Sequence, residues 1–329
     1  MLTRAPTQVV HDYHSDSLAW DRYRPRPGDI VIGTAAKVGT TWTQQIVNLA
    51  GVAACGPNAP NVASMNTGPH LGAMMTMSYL IEQKGVKNLC YSALNIDVAT
   101  VFRDVYLPVW EQVTGHKVHA LIFSEPGADL TPAVVQARDA GCDGVMLVYT
   151  KPDYIRYAEL AQSQGMLGGA VSYAMLTSGY SENVRTKLGD AGQGWVTNSE
   201  FAPYTDDPAN DGPDLADWRS LLEPAGLEPT SFAQGGYLSA KIAVEALKTI
   251  TNDDYSKESV GKALQAVSYT SDMLGEPFKF VAFAGGAQSN VASKMVQIDG
   301  DGWKTITDWV YWPPADGDND NVTTKASGV

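Results

Sequence analysis

From about residue 70 to residue 196, stretches with helical spacing alternate with short apolar runs, and this alternation restricts the fold more than any other feature. Apolar positions three and four residues apart predict helices over 70–84, 99–113, 132–140 and 153–164. The runs between them predict strands at Lys87 to Tyr91, Val118 to Phe123, Gly144 to Tyr149 and Gly168 to Tyr173, with a shorter one at Gly194 to Val196. Thr131 followed by Pro132 reads as a helix start, with Thr131 as N-cap and Pro132 at the first helical position, where its missing N–H costs nothing. Strands separated by single helices must run parallel, because the crossovers pack on the sheet. The expected fold class is therefore α/β, a three-layer unit whose parallel sheet is covered on both faces.

After residue 205 the rhythm changes. Asp206 to Pro213 is a polar loop, and helices are predicted at 214–223, 232–250 and 256–267. In the second of these Tyr237, Ala240, Val244 and Leu247 step by three and four and predict one apolar stripe. Late strands are expected at Phe278 to Phe283, Lys294 to Ile298 and Trp303 to Trp309, followed by an acidic, then small and polar, tail from Pro313.

Charge and cysteine content narrow the function. With 36 acidic and 23 basic residues the formal net charge is −13. Nucleic acids and anionic membranes select clustered Lys and Arg, so neither is expected as the main partner. Cys55, Cys90 and Cys142 are too few for a disulfide framework and lack a C-x-x-C spacing, so they are expected to be buried small hydrophobes. The longest apolar stretch, Leu71 to Ile81, falls short of the roughly 20 residues a membrane helix needs. The opening MLTRAPTQVVHDYHSDS lacks the apolar core of a secretory leader, which gives a cytoplasmic expectation for the chain as written. His116 and His119 sit at a strand start, where positions three apart face opposite ways, so they do not form a metal pair.

Ahead of the alternating region, Ile30-Val31-Ile32 is followed by a turn rich in glycine and threonine, and then by a helical pattern through Trp42, Ile46, Val47 and Leu49. A strand that ends in such a turn before a helix offers backbone N–H groups and the positive end of a helix dipole, which suit a phosphate. Lys37 adds charge; Thr40 and Thr41 add hydroxyls. The segment from Arg24 through Lys37-Val38-Gly39-Thr40-Thr41-Trp42 to Val47 resembles the opening of sulfotransferases that use phosphoadenosine phosphosulfate. That resemblance, over about residues 8–50, implies that Lys37, Gly39, Thr40, Thr41 and Trp42 hold the phosphosulfate end of that cofactor.

From about residue 57 to residue 312 the chain resembles a different family, the type I periplasmic solute-binding proteins of ABC transporters, branched-chain amino acid group. The resemblance is carried by Asn58-Ala59-Pro60-Asn61-Val62, by Pro126-Gly127-Ala128-Asp129-Leu130-Thr131-Pro132 through Gly141-Cys142-Asp143-Gly144-Val145, by Gly194-Trp195-Val196 to Tyr204, by Gly236-Tyr237 and by Asp299-Gly300-Asp301-Gly302-Trp303. It implies binding of a small amino or carboxylic acid without catalysis or cofactor, delivery to a transporter permease, and export to the periplasm or cell surface. It also implies a division into a sulfotransferase-like segment 1–56, a complete lobe 57–205, helices 206–275 of an incomplete first lobe, closing strands 276–312 and a tail 313–329. The helices of the incomplete lobe would then expose apolar surface and favour self-association. Ligands of such folds bind at carboxyl ends of strands, so Ser92, Asp97, Tyr149, Thr150, Ser172 and Tyr173 are the candidate solute ligands, with Asp97 placed to meet an amine and the tyrosines to stack or hydrogen-bond.

Overall fold

A computed structural model describes residues 58–59, 63, 65–252, 254–280, 283–284 and 289–313. The expected phosphate-holding turn Lys37–Trp42, the strand and helix expected to flank it, most of the junction after Cys55 and the tail beyond residue 313 lie outside the described residues.

A two-residue strand β1 (Asn58–Ala59) precedes α1 (Gly68–Glu82). Four βα units follow: β2 (Leu89–Leu94) with α2 (Asp97–Val101) and α3 (Leu107–Thr114), joined through one π turn at Phe102–Tyr106; β3 (Ala120–Ser124) with α4 (Thr131–Asp139); β4 (Gly144–Val148) with α5 (Lys151–Ser163); and β5 (Ser172–Met175) with α6 (Glu182–Leu188). The strand β6 (Val196–Ser199) leads out to α7 (Pro213–Ala225), α8 (Ser231–Lys248) and α9 (Lys257–Ala266). The chain then forms β7 (Ser268–Tyr269), β8 (Phe278–Lys279) and β9 (Phe283–Ala284), and closes with β10 (Ala292–Asp299), β11 (Gly302–Thr305) and β12 (Val310–Tyr311).

The main sheet has the order β11-β10-β6-β5-β4-β2-β3, with β12 also on β10. Strands β2 to β6 are parallel, whereas β10 is antiparallel to both β6 and β11. One face carries Tyr91, Ala93, Met146, Val148 and Ala174 against Met74, Met77 and Trp110 of α1 and α3. The other carries Leu94, Val145, Leu147 and Met175 against Val134, Tyr154, Ala158 and Val184 of α4 to α6. Because both faces are covered, β2 and β4 are buried along their whole length, as the alternating pattern predicts. Two small antiparallel pairs, β1–β9 and β7–β8, stand apart from this sheet.

Several boundaries differ from expectation for identifiable reasons. Strand β2 starts at Leu89 rather than Lys87, because the Asp143 carboxylate takes the backbone N–H groups of Lys87 (3.1 Å) and Asn88 (2.7 Å) out of the ladder. Strand β5 starts at Ser172 rather than Gly168, because Gly168 and Gly169 adopt φ of 89° and 91°, left-handed values incompatible with a strand. Helix α4 starts at Thr131, one residue before its expected first turn; the Asp129 carboxylate accepts from the Thr131 N–H and hydroxyl, and Thr131 is not the N-cap. The buried face of α8 is Gln234, Leu238, Ile242 and Ala246, not the expected stripe, in which Ala240 and Val244 are exposed. Gln234 Nε2 donates to the Ala202 carbonyl at 2.7 Å and the Tyr237 hydroxyl donates to Asp217 at 2.6 Å, which together fix that rotation.

The largest correction concerns the cysteines. Cys90 and Cys142 form a disulfide that ties the first residues of β2 to the turn before β4. They are buried, as expected, but they are not separate thiols. His116 pairs with Glu82 and His119 meets the Ala140 carbonyl, each at 2.9 Å, so neither serves a metal pair.

Candidate solute-binding site

The strand order locates the site. From β2 the chain steps outward to β3 and then returns to the other side of β2 as β4. The two crossovers leave the carboxyl ends of β2 and β4 in opposite directions and open a crevice there, the usual ligand position in open parallel sheets. Ser92 lies near the end of β2 and Tyr149 follows β4 directly. The structure brings them together: Ser92 Oγ is 2.9 Å and Ser124 Oγ 3.4 Å from the Tyr149 hydroxyl. Burial pushes the Tyr149 hydroxyl up from its ordinary range against the pull of the two serines, so it stays protonated and can donate at neutral pH.

The other candidates separate. Asp97 opens α2 at the same rim and is exposed. Thr150, also exposed, is the N-cap of α5, and its hydroxyl donates to Asp153. Ser172 and Tyr173 are at the wrong end. Ser172 is in register with Gly144, which in turn is in register with Leu89, so it belongs to the amino edge of the sheet. Tyr173 donates to the Met166 carbonyl at 3.2 Å and stacks on Trp195 at 4.8 Å, a packing role. A pocket of about 340 Å³ lies beside these two residues, between Lys84, Gly169, Gln193 and Trp195. This hollow faces the opposite end of the strands from the crevice.

The carboxyl end of β5 instead presents Thr177 and Ser178, which the misplaced strand boundary concealed. Thr177 Oγ1 is closed off from solvent with no partner among the described residues, and Ser178 Oγ meets the Tyr154 hydroxyl at 3.0 Å. Reading Gly168-Gly169 as a strand breaker would have found both. Ser124 escapes the sequence pattern for the same kind of reason, since β3 runs one residue beyond its expected end at Phe123.

A second polar group lies at the end of β6. Glu200 is fully buried, and its carboxylate accepts from Asn66 Nδ2, Thr67 Oγ1 (3.3 Å) and the Gly68 N–H (3.0 Å) at the start of α1. Burial pushes its carboxyl above the usual range, and these three hydrogen bonds hold it down in part. A strand-end glutamate carries no sequence signal that separates it from a surface residue.

No curated protein sequence matches the chain. The family model described as periplasmic binding protein matches residues 28–302. It therefore takes in Lys37–Trp42 and about half of the segment expected to be sulfotransferase-like, a likeness for which the comparisons give no support. Among solved structures, an ABC transporter substrate-binding protein from Sphaerobacter thermophilus is 19% identical, with a TM-score of 0.61 over 76% of this chain and 66% of that one. The chain thus spans just under two thirds of that relative. A leucine-binding protein from Thermotoga maritima is 10% identical, with a TM-score of 0.64 over 85% of this chain and 79% of that one. A solute-binding protein of an ABC transporter from Rhodopseudomonas palustris, in complex with benzoate, is 14% identical, with a TM-score of 0.61 over 85% and 78%. These likenesses establish the fold, that of the type I periplasmic binding proteins, and the family match covers most of the sequence. The chain belongs to the periplasmic binding protein family.

Proposed function

We propose that this protein binds a small carboxylic acid, an amino acid or an aromatic acid, without transforming it, and presents it to the permease of an ABC transporter. The observation that carries the proposal is the hydroxyl cluster of Ser92, Ser124 and Tyr149 at the strand-order switch, within a chain of this family. Neutral hydroxyl donors suit a carboxylate, and Asp97 at the same rim suits an amine if the solute has one. The relatives described as leucine-binding and as a benzoate complex take solutes that share a carboxylate. Thr150 at the rim, with Thr177, completes the proposed site; Ser172 and Tyr173 are left out of it. Export is part of the same reading, since a structural disulfide persists in oxidising compartments. The division into a complete sheet-bearing lobe and an incomplete helical one, with α7 and α8 leaving Leu221 and Val244 exposed, is proposed as the reason binding would be weaker than in a two-lobed relative and as a route to self-association. No observation favours the alternative of phosphoadenosine phosphosulfate bound by Lys37, Gly39, Thr40, Thr41 and Trp42.

The test is a thermal-shift panel of L-leucine, L-valine, benzoate and hexanoate, with phosphoadenosine phosphate as the contrasting ligand. A solute at 100 times its Kd adds about 2.7 kcal/mol to native-state stability, a readily measured rise in melting temperature. The proposal fails if no acid in the panel shifts the transition. A shift by the nucleotide that disappears in Lys37→Ala would revive the alternative. For an acid that binds, Tyr149→Phe is expected to weaken affinity about tenfold, the loss of one hydrogen bond to a charged group worth about 1.5 kcal/mol. Unchanged affinity in that variant would move the site elsewhere.

A further inference from the structure

Three stretches of chain join the main sheet to the rest of the described structure: residues 65–67 ahead of α1, residues 200–203 leaving β6, and residues 289–291 entering β10. All three meet at Glu200. Its carboxylate holds the first through Asn66, Thr67 and the Gly68 N–H, and its own carbonyl oxygen accepts from Asn290 Nδ2 of the third at 3.1 Å. Thr67 Oγ1 in turn lies 3.4 Å from Ser293 Oγ of β10. No lysine, arginine or histidine among the described residues pairs with the carboxylate. An unpaired buried carboxylate is a poor source of stability, and a well-packed apolar side chain would commonly serve as well or better. What the carboxylate can do and an apolar group cannot is hold three donors of the 66–68 stretch against the end of β6, helped here by the positive end of the 15-residue helix α1, while the backbone carbonyl of the same residue takes the third stretch through Asn290.

We propose that Glu200 is a positioning residue, a clasp that fixes how the sheet is set against the part of the chain that carries α7 to α9, and through that setting the affinity for solute. The effect on affinity rests on the solute-binding reading above; the clasp itself does not.

The experiment uses the full chain as wild type, Glu200→Gln, Glu200→Ala and Asn290→Ala, and follows hydrogen–deuterium exchange in peptides covering 65–68, 199–203 and 289–293, with β4 as the control. Glu200→Ala, which removes the carboxylate and keeps the backbone carbonyl that holds Asn290, is expected to speed exchange at least tenfold at 65–68 and 199–203 while 289–293 and β4 stay unchanged. Glu200→Gln keeps an acceptor for Thr67 and Gly68 and should remain close to wild type. Asn290→Ala should loosen 289–293 alone. The clasp is overturned if Glu200→Ala leaves 65–68 or 199–203 at the wild-type rate, or if β4 speeds up equally, which would mean general destabilisation. Should Glu200→Ala fail to fold, Asn66→Ala, which removes one donor to the carboxylate, decides: unchanged exchange at 65–68 and 199–203 sinks the proposal. Benzoate and L-leucine titrations form the second arm, with at least a fivefold loss of affinity expected in Glu200→Ala and none in Glu200→Gln. If wild type binds neither acid, the solute-binding reading fails, and the exchange arm still judges the clasp.

Discussion

Reducing the disulfide between Cys90 and Cys142 is expected to lower stability by about 4 kcal/mol. The two residues are 52 apart in sequence. In the chain-entropy account, closing a loop of that length removes about 4 kcal/mol of freedom from the unfolded chain. For a chain of 329 residues, at about 2.1 cal/mol/K of unfolding entropy per residue, that amounts to a fall in melting temperature of about 6 °C. The effect should be local in structure as well as large. The bridge lies at the amino edge of β2 and β4, beside the Asp143 carboxylate that holds Lys87 and Asn88. The Ser92–Tyr149 cluster is at the opposite end of the same strands. A reduced chain just below its new melting temperature should therefore lose protection first around residues 86–90 and 141–144. The direct check is a thiol titration of the denatured, unreduced chain, which should give one reactive thiol of the three cysteines. Three reactive thiols, or a melting temperature indifferent to reductant, would defeat the prediction. The double variant Cys90→Ala/Cys142→Ala provides the control, since its melting should not respond to reductant.

That disulfide also marks where reading the sequence ran out. Alternation of helical and apolar stretches was enough to specify a parallel sheet covered on both faces, and with it the carboxyl-end rim on which Ser92 and Tyr149 meet. The pairing of Cys90 with Cys142 depends on β4 lying next to β2, which is a matter of strand order and not of cysteine spacing. Strand ends were legible only to within two to four residues, because tertiary partners decide them: the Asp143 carboxylate shortens β2, and left-handed Gly168 and Gly169 delay β5. A shift of that size exchanged Ser172 and Tyr173 for Thr177 and Ser178 at the site. On α8 the apolar residues are numerous enough to define two overlapping stripes, and polar bonds from Gln234 and Tyr237 choose between them. Glu200 was beyond reach altogether, because its meaning comes from Asn66 and Asn290, which are 134 and 90 residues away.

Acid should destabilise this protein earlier than its carboxylates alone would predict, and His70 is the reason. The ring is buried in the first turn of α1, stacked on Tyr106 at 4.2 Å, and its Nε2 has no partner among the described residues. Burial pushes its pKa down from 6.5 to about 4. Between those two values the unfolded chain binds a proton at this histidine and the folded chain does not, so stability is lost as pH falls through that window. At about 1.4 kcal/mol per pH unit the whole window corresponds to about 3 kcal/mol. Glu200, whose carboxylate accepts from the Gly68 N–H at the start of α1, works in the opposite direction. Its folded-state pKa is raised, so its protonated form favours the folded chain, and stability from this source is gained as pH falls toward the ordinary carboxylate range. The histidine should dominate, because nothing offsets its burial whereas three hydrogen bonds offset that of the glutamate. Urea unfolding at pH 7 and at pH 4.5 separates the two. His70→Phe, which keeps an aromatic ring against Tyr106, should flatten the acid loss, and Glu200→Gln, which removes the opposing contribution, should steepen it. If His70→Phe loses as much stability on acidification as the wild type, the acid sensitivity has another origin. If Glu200→Gln also leaves the slope unchanged, the Glu200 carboxyl is not raised in the folded chain, and the three donors around it balance its burial.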